Sequence, residues 1–247
     1  MRTLEDHTLL YDKDCPMCCL YTGAFVQGGW LDADGRKPFG EVSECEYERL
    51  DLARASNEIA LVNRRTGEIT YGLDSLTRIV AHCMPFLKGI LRHRAVRWPL
   101  QRFYCFISYN RKVIAAVKPT GKPCTPSFHL RYRFAYLLLA FLAASAVLSR
   151  CMALVFGGSP AWVGYAVMAG LLLSQAAAAR RHNMQRRMDY LGNGMTVLLM
   201  GALAALLARQ WLHLSPKFYG VFFLLVIAGM ALEYRRRMRL LGRHPGA

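Results

Sequence analysis

The sequence predicts two parts of different fold class: an α/β domain in residues 1–127 and an all-α region of four transmembrane helices in residues 128–247. The charged residues divide the chain in the same way. Residues 1–130 contain 18 Lys/Arg and 14 Asp/Glu, whereas residues 131–247 contain 14 Lys/Arg and 2 Asp/Glu, and the total net charge is +16. In the second half the arginines flank long apolar runs, which favours a membrane protein over a nucleic-acid-binding protein.

Four apolar runs follow the N-terminal domain, and they approach the roughly 20 residues that a helix needs to cross a bilayer. They are residues 134–156, 161–179, 195–214 and 218–232. The first and third reach this length if Arg150 and Arg209 lie at the far interface and extend their side chains into water. Turn-forming residues at 157–160 and 215–216 separate the members of each pair, so we expect two helical hairpins.

The positions of the cationic residues predict the orientation of these helices. Arginines lie before the first run, between the second and third, and after the fourth: Arg131, Arg133, Arg180, Arg181, Arg186, Arg187, Arg235, Arg236, Arg237, Arg239 and Arg243. The opposite loops have only Arg150, Arg209 and Lys217 near them. Because cytoplasmic loops carry an excess of Lys and Arg, both termini should be cytoplasmic. The second and fourth helices should extend beyond the bilayer as basic turns.

The start of the chain predicts the compartment of the N-terminal domain. The first eight residues include Glu5 and Asp6 and no apolar stretch, so a cleavable signal peptide is not expected. We therefore expect a multi-pass protein of the bacterial inner membrane whose N-terminal domain stays in the cytoplasm. Thiols are kept reduced in that compartment, so the eight cysteines should not form a structural disulfide framework.

Short apolar runs alternate with helix-favouring stretches in the N-terminal domain. In order, the pattern predicts a strand at 8–11, a helix at 15–26, a strand at 39–42, a helix at 44–54, strands at 59–62 and 68–71, and a helix at 73–91. The order β-α-β-α-β-β-α is typical of a thioredoxin-like domain. It predicts layered α/β packing and not a helical bundle.

Cys15 and Cys18 form a CxxC motif at the point where the first predicted strand gives way to the first helix. A thiolate at a helix N-terminus is stabilised by free backbone N–H groups and by the helix dipole. Pro16 suits the first helical position, where its missing N–H would have no partner. Cys18 lies one turn further on, so it could attack a mixed disulfide formed on Cys15.

Neighbouring residues leave two features of this motif open. Cys19 lies four residues after Cys15, on the same helical face, and could replace Cys18 as the second thiol. Lys13 would lower the pKa of Cys15, whereas Asp12 and Asp14 would raise it. The sequence does not determine which charge has the larger effect.

A CxxC pair can also be half of a zinc site. Zinc needs four ligands, usually from two such pairs or from one pair and histidines. The sequence has neither a second CxxC pair nor two closely spaced histidines, which favours redox chemistry. We expect no metal and no other cofactor, and we expect surface positions for the histidines His82, His93 and His129.

The remaining cysteines are expected to have different surroundings. Cys83 and Cys105 lie within apolar helical patterns and should be core thiols, and Cys151 should be a small residue buried in the membrane. Cys124 lies in a loop between prolines, where it could be either a third redox thiol or an ordinary buried one.

The segment Asp12-x-x-Cys15-x-x-Cys18 resembles the D-x-x-C-x-x-C signature of the DCC family of predicted thiol-disulfide oxidoreductases. Further elements are similar to the family pattern in order and spacing: Tyr71-Gly72 with Asp74-Ser75-Leu76, Tyr104 followed by Asn110-Arg111, and Cys124 followed by Pro126. The similarity covers residues 8–127. It implies a thioredoxin-like fold, dithiol–disulfide exchange, Cys15 and Cys18 as the redox pair, and Asp12 as the signature acid.

These features favour a membrane-anchored thiol-disulfide oxidoreductase that exchanges electrons through a cytosol-facing dithiol. Its expected partners are a disulfide or dithiol substrate, in a protein, and the lipid bilayer, but not nucleic acid. The alternative is a non-catalytic membrane protein, a sensor or a transporter accessory, whose CxxC domain binds a partner. A third possibility is that the spans bind a quinone or similar carrier. The basic stretch 88–102, which contains Trp98, is either a surface for anionic headgroups or a solvated helix end.

Overall fold

The computed structural model describes residues 3–43, 47, 49–118, 124, 126–156, 158, 160–212 and 216–242. Cys45, one of the eight cysteines, and Arg243 lie outside the described part of the chain, as do residues 44, 46 and 48 of the predicted helix at 44–54, residues 213–214 of the third apolar run, and residues 157, 159 and 215 of the predicted turns. The chain divides into two compact units, Met1–Phe128 and His129–Ala247.

The first unit is built on a four-stranded sheet. Its strands are β1 (His7–Tyr11), β2 (Arg36–Pro38), β3 (Ala60–Asn63) and β4 (Ile69–Tyr71). The spatial order is β2-β1-β3-β4, with β2 parallel to β1 and β3 antiparallel to both of its neighbours. β1 is a central strand, and its first four residues, His7 to Leu10, are buried.

Five α-helices accompany the sheet in the described part of this unit. They are α1 (Pro16–Gln27), α2 (Leu52–Asn57), α3 (Leu73–Cys83), α4 (Lys88–Arg92) and α5 (Arg94–Ile114). Short 3-10 turns at Phe39–Glu41 and Pro85–Leu87 complete the set. The strands and helices from β1 to α3 follow the predicted order β-α-β-α-β-β-α, and α4 and α5 come after them.

Hydrophobic side chains cover both faces of the sheet. Successive strand residues point to opposite faces, so Leu9 and Leu10 of β1 enter different clusters. The cluster around Leu9 includes side chains of α1 and α3, and the cluster around Leu10 includes Ala55 of α2. The junction between β1 and α1, which holds the CxxC motif, therefore follows directly from the best-packed strand of the unit.

The predicted strand at 39–42 is wrong in position. The observed strand β2 is Arg36–Pro38, and Phe39–Glu41 forms a 3-10 turn. Pro38 pairs with Tyr11 at the end of the ladder. Since proline has no backbone N–H to donate, it is confined to sheet edges and strand ends, and the strand stops there.

Two predicted helices also have wrong boundaries. In place of the helix expected at 44–54, the structure describes α2, which starts at residue 52. The Asp51 side chain caps this start by accepting a hydrogen bond from the Arg54 N–H at 2.9 Å. The helix expected at 73–91 ends at Cys83. Met84 precedes a proline, which disfavours the helical conformation, and its backbone is at φ −127 and ψ 78.

The second unit consists of four long helices in its described part. They are α6 (Leu130–Phe156), α7 (Trp162–Ala178), α8 (Met184–Leu212) and α9 (Pro216–Gly242). Each contains or overlaps a segment long and apolar enough to cross a membrane, with mean hydropathies from 1.4 to 2.1. The prediction of four such helices is confirmed, although three of them, α6, α8 and α9, are longer than expected.

The third helix begins at Met184 and not at residue 195. The Asn183 side chain accepts a hydrogen bond from the Arg186 N–H at 2.9 Å, which caps this start. Arg186 and Arg187 therefore belong to α8, and the predicted basic extension of the second helix is only the 3-10 turn Ala179–Arg181 that follows α7. The fourth helix does continue through its basic residues, to Gly242 instead of 232.

Ion pairs inside the second unit explain why charged residues lie within these helices. Arg133 of α6 pairs with Asp189 of α8 at 3.1 Å, and Arg237 of α9 pairs with Glu233 at 2.8 Å. The Arg237 guanidinium also donates to Asn193 Oδ1 at 3.2 Å. Both arginines are buried. Arg133 and Asp189 lie near the starts of α6 and α8, and the Arg237–Glu233 pair lies near the end of α9. Both ion pairs are therefore at one end of the bundle.

Candidate functional site

The turn between β1 and α1 is held by Asp12. Its carbonyl oxygen accepts a hydrogen bond from the Cys15 N–H at 3.1 Å, and its carboxylate accepts one from the Asp14 N–H at 3.1 Å. Cys15 then occupies the cap position of α1 in an extended conformation, and Pro16 is the first helical residue. The predicted placement of Cys15 at a helix N-terminus is what the structure shows.

Cys15 and Cys18, at the N-cap and in the first turn of α1, are free thiols. Their exposed fractions are only 5% and 6%. The hydrogen bond from Cys18 is the main reason why the pKa of Cys15 falls to about 6, and it outweighs the opposing effect of burial. The same hydrogen bond, together with burial, raises the pKa of Cys18. At neutral pH Cys15 is therefore mostly a thiolate and Cys18 a protonated donor.

The rest of α1 fixes the position of Cys18. The Tyr21 hydroxyl donates to Cys18 Sγ at 3.6 Å, and the Thr22 hydroxyl donates to the Cys18 carbonyl oxygen at 2.7 Å. Thr22 is fully buried. These contacts hold the second thiol against the domain interior.

Cys19 has a different environment from the pair. Its thiol donates to the Lys13 carbonyl oxygen at 3.2 Å, and burial raises its pKa. The Lys13 ammonium lies 3.4 Å from the Glu41 carboxylate. The cation that lowers the pKa of Cys15 is not Lys13 but Arg111.

Arg111 brings a buried positive charge to the dithiol. Its guanidinium lies 3.3 Å from the Asp12 carboxylate, and each side chain is only 6% exposed. Burial alone would lower the pKa of Arg111, but the nearby thiols and Asp12 raise it. Arg111 in turn lowers the pKa of both Cys15 and Cys18. A fixed charge in a poorly solvated position acts strongly on its neighbours.

Asp12 is the buried anion of this site. Burial is the largest effect on its carboxyl group and raises its pKa, while Arg111 and the hydrogen bond from Asp14 act in the opposite direction. The charge of Asp12 also raises the pKa of Cys15. Asp12 and Arg111 therefore have opposite effects on the thiolate while stabilising each other.

Cys124 is buried beside Arg111 and is part of its hydrogen-bond shell. Nη2 of Arg111 donates to Cys124 Sγ at 3.2 Å, to the Cys124 carbonyl oxygen at 3.1 Å and to the Ser56 carbonyl oxygen at 2.8 Å. The Cys124 thiol donates to the same Ser56 oxygen at 3.4 Å. Burial raises the pKa of Cys124 to about 11, so it is a neutral thiol that holds Arg111 in place.

Sequence analysis found a helical pattern around Cys105 but missed the contribution of helix α5 to the site, since Arg111 was noted only through the family resemblance. The Ile59 N–H donates to the Tyr104 hydroxyl at 3.2 Å, and the Ser108 hydroxyl donates to the Asn57 carbonyl oxygen. Tyr104, Ser108 and Arg111 are spaced as i, i+4 and i+7, which places them on one helical face. That spacing is the signal that could have identified the face of α5 that packs on the domain.

The other sequence-predicted residues lie away from this site. His82, His93 and His129 are exposed, as predicted, and Cys83 belongs to the core cluster. Cys105 is only half-buried, because α5 turns that face partly outward. Cys151 is fully buried between helices, with Sγ 4.0 Å from the Ala202 carbonyl oxygen. Among the described residues, no group of three His, Cys, Asp or Glu could hold a metal ion.

No protein-family model matches this chain, and comparisons with curated proteins and with solved structures found no match. Its function therefore has to be inferred from the chemistry of the site.

Proposed function

We propose that this chain is a membrane-anchored thiol-disulfide oxidoreductase that exchanges electrons through the Cys15–Cys18 dithiol. The observation that carries the proposal is the asymmetry of the pair. Cys15 occupies the N-cap position of α1 and Cys18 lies in its first turn, and the interaction between the two thiols lowers the pKa of Cys15 to about 6 and raises that of Cys18. An attacking thiol is most effective when its pKa lies near the ambient pH.

The exchange has two balanced steps. The Cys15 thiolate attacks one sulfur of a substrate disulfide, forms a mixed disulfide with it and releases the other sulfur as a thiolate. The Cys18 thiol then loses its proton and attacks Cys15 Sγ, which releases the second substrate thiolate and leaves a Cys15–Cys18 disulfide. Two electrons pass from the dithiol to the substrate, and the reverse sequence oxidises a substrate dithiol.

Arg111 and Asp12 have separate roles in this proposal. Arg111 stabilises the thiolate electrostatically, and Asp12 orients the Arg111 guanidinium and the turn before Cys15. The low exposure of Cys15 means that a substrate must approach over Pro16, which is exposed. A protein disulfide or dithiol is the substrate we propose, with no cofactor.

A thioredoxin-like fold and membership of the DCC family belong to the same proposal. The strand order β2-β1-β3-β4, with only β3 antiparallel, and the CxxC motif after β1 support this interpretation. The D-x-x-C-x-x-C segment and the later Arg111 and Cys124, which meet in the structure, support it further.

We also propose an integral membrane location with both termini in the cytoplasm. The four apolar helices support the first part. The second rests on the arginines, which cluster at the start of α6, the start of α8 and the end of α9, and so lie at one end of an up-and-down bundle.

Trapping of mixed disulfides tests the proposed chemistry. Cys18→Ser in the full chain should accumulate mixed disulfides on Cys15, because the resolving step is lost, and Cys15→Ser should trap none. Cys105→Ser is the control and should behave as the natural chain. If Cys19→Ser traps the intermediate instead, the second thiol is wrongly assigned. If no variant traps a partner, the non-catalytic partner-binding alternative replaces the oxidoreductase.

A further inference from the structure

A basic and apolar surface of the first unit has no role in the dithiol chemistry. It is formed by the Pro85–Leu87 turn, α4 and the first half of α5, and we call it the basic–aromatic surface. Its side chains are Phe86, Lys88, Ile90, Arg92, Arg94, Arg97, Trp98, Arg102 and Phe103.

The apolar members of this surface are unusually exposed. The exposed fractions are 75% for Phe86, 54% for Ile90, 63% for Trp98 and 63% for Phe103. Single exposed hydrophobic residues are normal, but four within one short segment indicate an interaction surface. Tryptophan in particular is enriched where an apolar medium meets water.

The charge of the surface is almost unopposed. The sequence contains no Asp or Glu between Asp74 and Asp189, so every charged residue of the segment is cationic. Arg97 pairs with Asp74 at 2.7 Å, and the Arg102 guanidinium lies 5.7 Å from the centre of the Trp98 ring. The remaining cations give the surface a strongly positive potential.

A cavity of about 550 Å³ opens between α3 and α4 at the edge of this surface. Lys88, Arg92 and Arg97 line it together with Arg78, with the Asp74 carboxylate that pairs with Arg97, and with apolar side chains that include Leu4 and Leu91. Arg78 is already held by both oxygens of Glu68, at 2.7 and 2.8 Å. Lys88 and Arg92 are therefore the cations best placed to receive a phosphate group.

We propose that the basic–aromatic surface docks on the anionic headgroups of the bilayer. The exposed aromatic and aliphatic side chains would enter the interface, and the cavity would receive a lipid phosphate. Anionic lipids attract basic segments, and an apolar face adds binding energy that charge alone does not supply. This inference rests on the membrane location proposed above, which keeps a bilayer within reach of the same chain and favours lipid over nucleic acid as the occupant.

Amide hydrogen exchange of the full chain in lipid nanodiscs tests this proposal. Peptides covering residues 85–103 should exchange more slowly in discs containing phosphatidylglycerol than in discs of phosphatidylcholine alone. High salt should remove the difference, because it screens the attraction. The double variant K88Q/R92Q should lose the protection. The control double variant R49Q/K118Q removes the same amount of charge from exposed positions elsewhere in the unit and should retain the protection.

The apolar contribution has its own variant. Trp98→Ser keeps every charge but should weaken the protection, whereas Leu20→Ser, which changes another highly exposed apolar residue, should leave it intact. Equal exchange in both kinds of disc would overturn the proposal and leave a solvated helix end. The proposal would also be overturned if the control variants lost as much protection as the test variants, or if an added oligonucleotide produced the protection in neutral discs.

Discussion

The Arg111 guanidinium lies 3.3 Å from the Asp12 carboxylate, and the two side chains are equally buried. This contact joins α5 to the turn that presents Cys15, so a residue late in the unit sets the electrostatic environment of a thiol near its start. Burying two charges is costly, and the cost is offset only when both partners are present and hydrogen-bonded. The pair therefore links the stability of the first unit to the ionisation of its dithiol.

Replacing Arg111 by methionine should raise the pKa of Cys15, because Arg111 lowers it in the natural chain. It should also destabilise the first unit by roughly 3–5 kcal/mol, since a buried carboxylate loses its partner. Alkylation rates of Cys15 against pH and thermal unfolding in detergent measure the two effects. The control Arg78→Met removes an exposed ion pair with Glu68 and should have little effect on either. An unchanged Cys15 pKa in the Arg111 variant would show that its charge does not act on the thiolate.

Asp12→Asn should shift the pKa of Cys15 in the opposite direction. The carboxylate raises that pKa, so its neutralisation should bring it below about 6. The asparagine oxygen can still accept the hydrogen bond from the Asp14 N–H, so the turn should persist. The same alkylation measurement checks the shift, with the exposed Asp34→Asn as the matched control. A rise in the pKa would contradict the assigned effect of Asp12.

Gly164 of α7 is expected to tolerate no side chain. A Cβ at this position would lie 2.6 Å from the Ser149 nitrogen and 2.8 Å from the Ser145 carbonyl oxygen, both in the backbone of α6. Gly164→Ala should therefore separate the two helices and lower the melting temperature of the full chain in detergent. Gly170→Ala in the same helix meets no atom within 4 Å and should leave the temperature unchanged or raise it slightly. Equal melting temperatures for the two variants would mean that α6 and α7 do not pack closely.

Reporter fusions test the proposed topology. Fusions after Arg133, Arg187 and Arg243 should report a cytoplasmic location, and fusions near Gly158 and Ser215 should report the opposite side, because the arginines mark the cytoplasmic ends of the helices. A reporter at the N-terminus is the internal reference and should be cytoplasmic. An N-terminal domain on the far side would contradict both the orientation and the reducing environment assumed for the thiols.

The local part of the site could be predicted because it lies within one short segment. Asp12, Cys15 and Cys18 are close in sequence, and a strand followed by Pro16 fixes where the helix begins. Arg111 comes from a distant helix, and its role depends on tertiary packing that no local pattern encodes. The sequence could suggest Lys13 as the nearby cation, but its ammonium is directed to Glu41 instead.

The four long apolar helices could be predicted in number but not in extent. Hydropathy counts Arg133 and Asp189 as charges that end or precede a span, whereas the structure pairs them inside the bundle. The start of α8 depends on the Asn183 cap, which hydropathy does not consider. Length and apolar content identified the elements, and specific polar contacts set their limits.

The pH dependence of Cys15 alkylation in the reduced full chain tests the central claim most directly. Alkylation reports the thiolate fraction, so the rate at Cys15 should rise with pH through a midpoint of about 6, well before Cys83, whose pKa is raised by burial. Cys18→Ala should move the midpoint upward, because the hydrogen bond from Cys18 is the main cause of the low value. A Cys15 midpoint at or above that of an ordinary thiol, about 8.5, would contradict the proposed nucleophile.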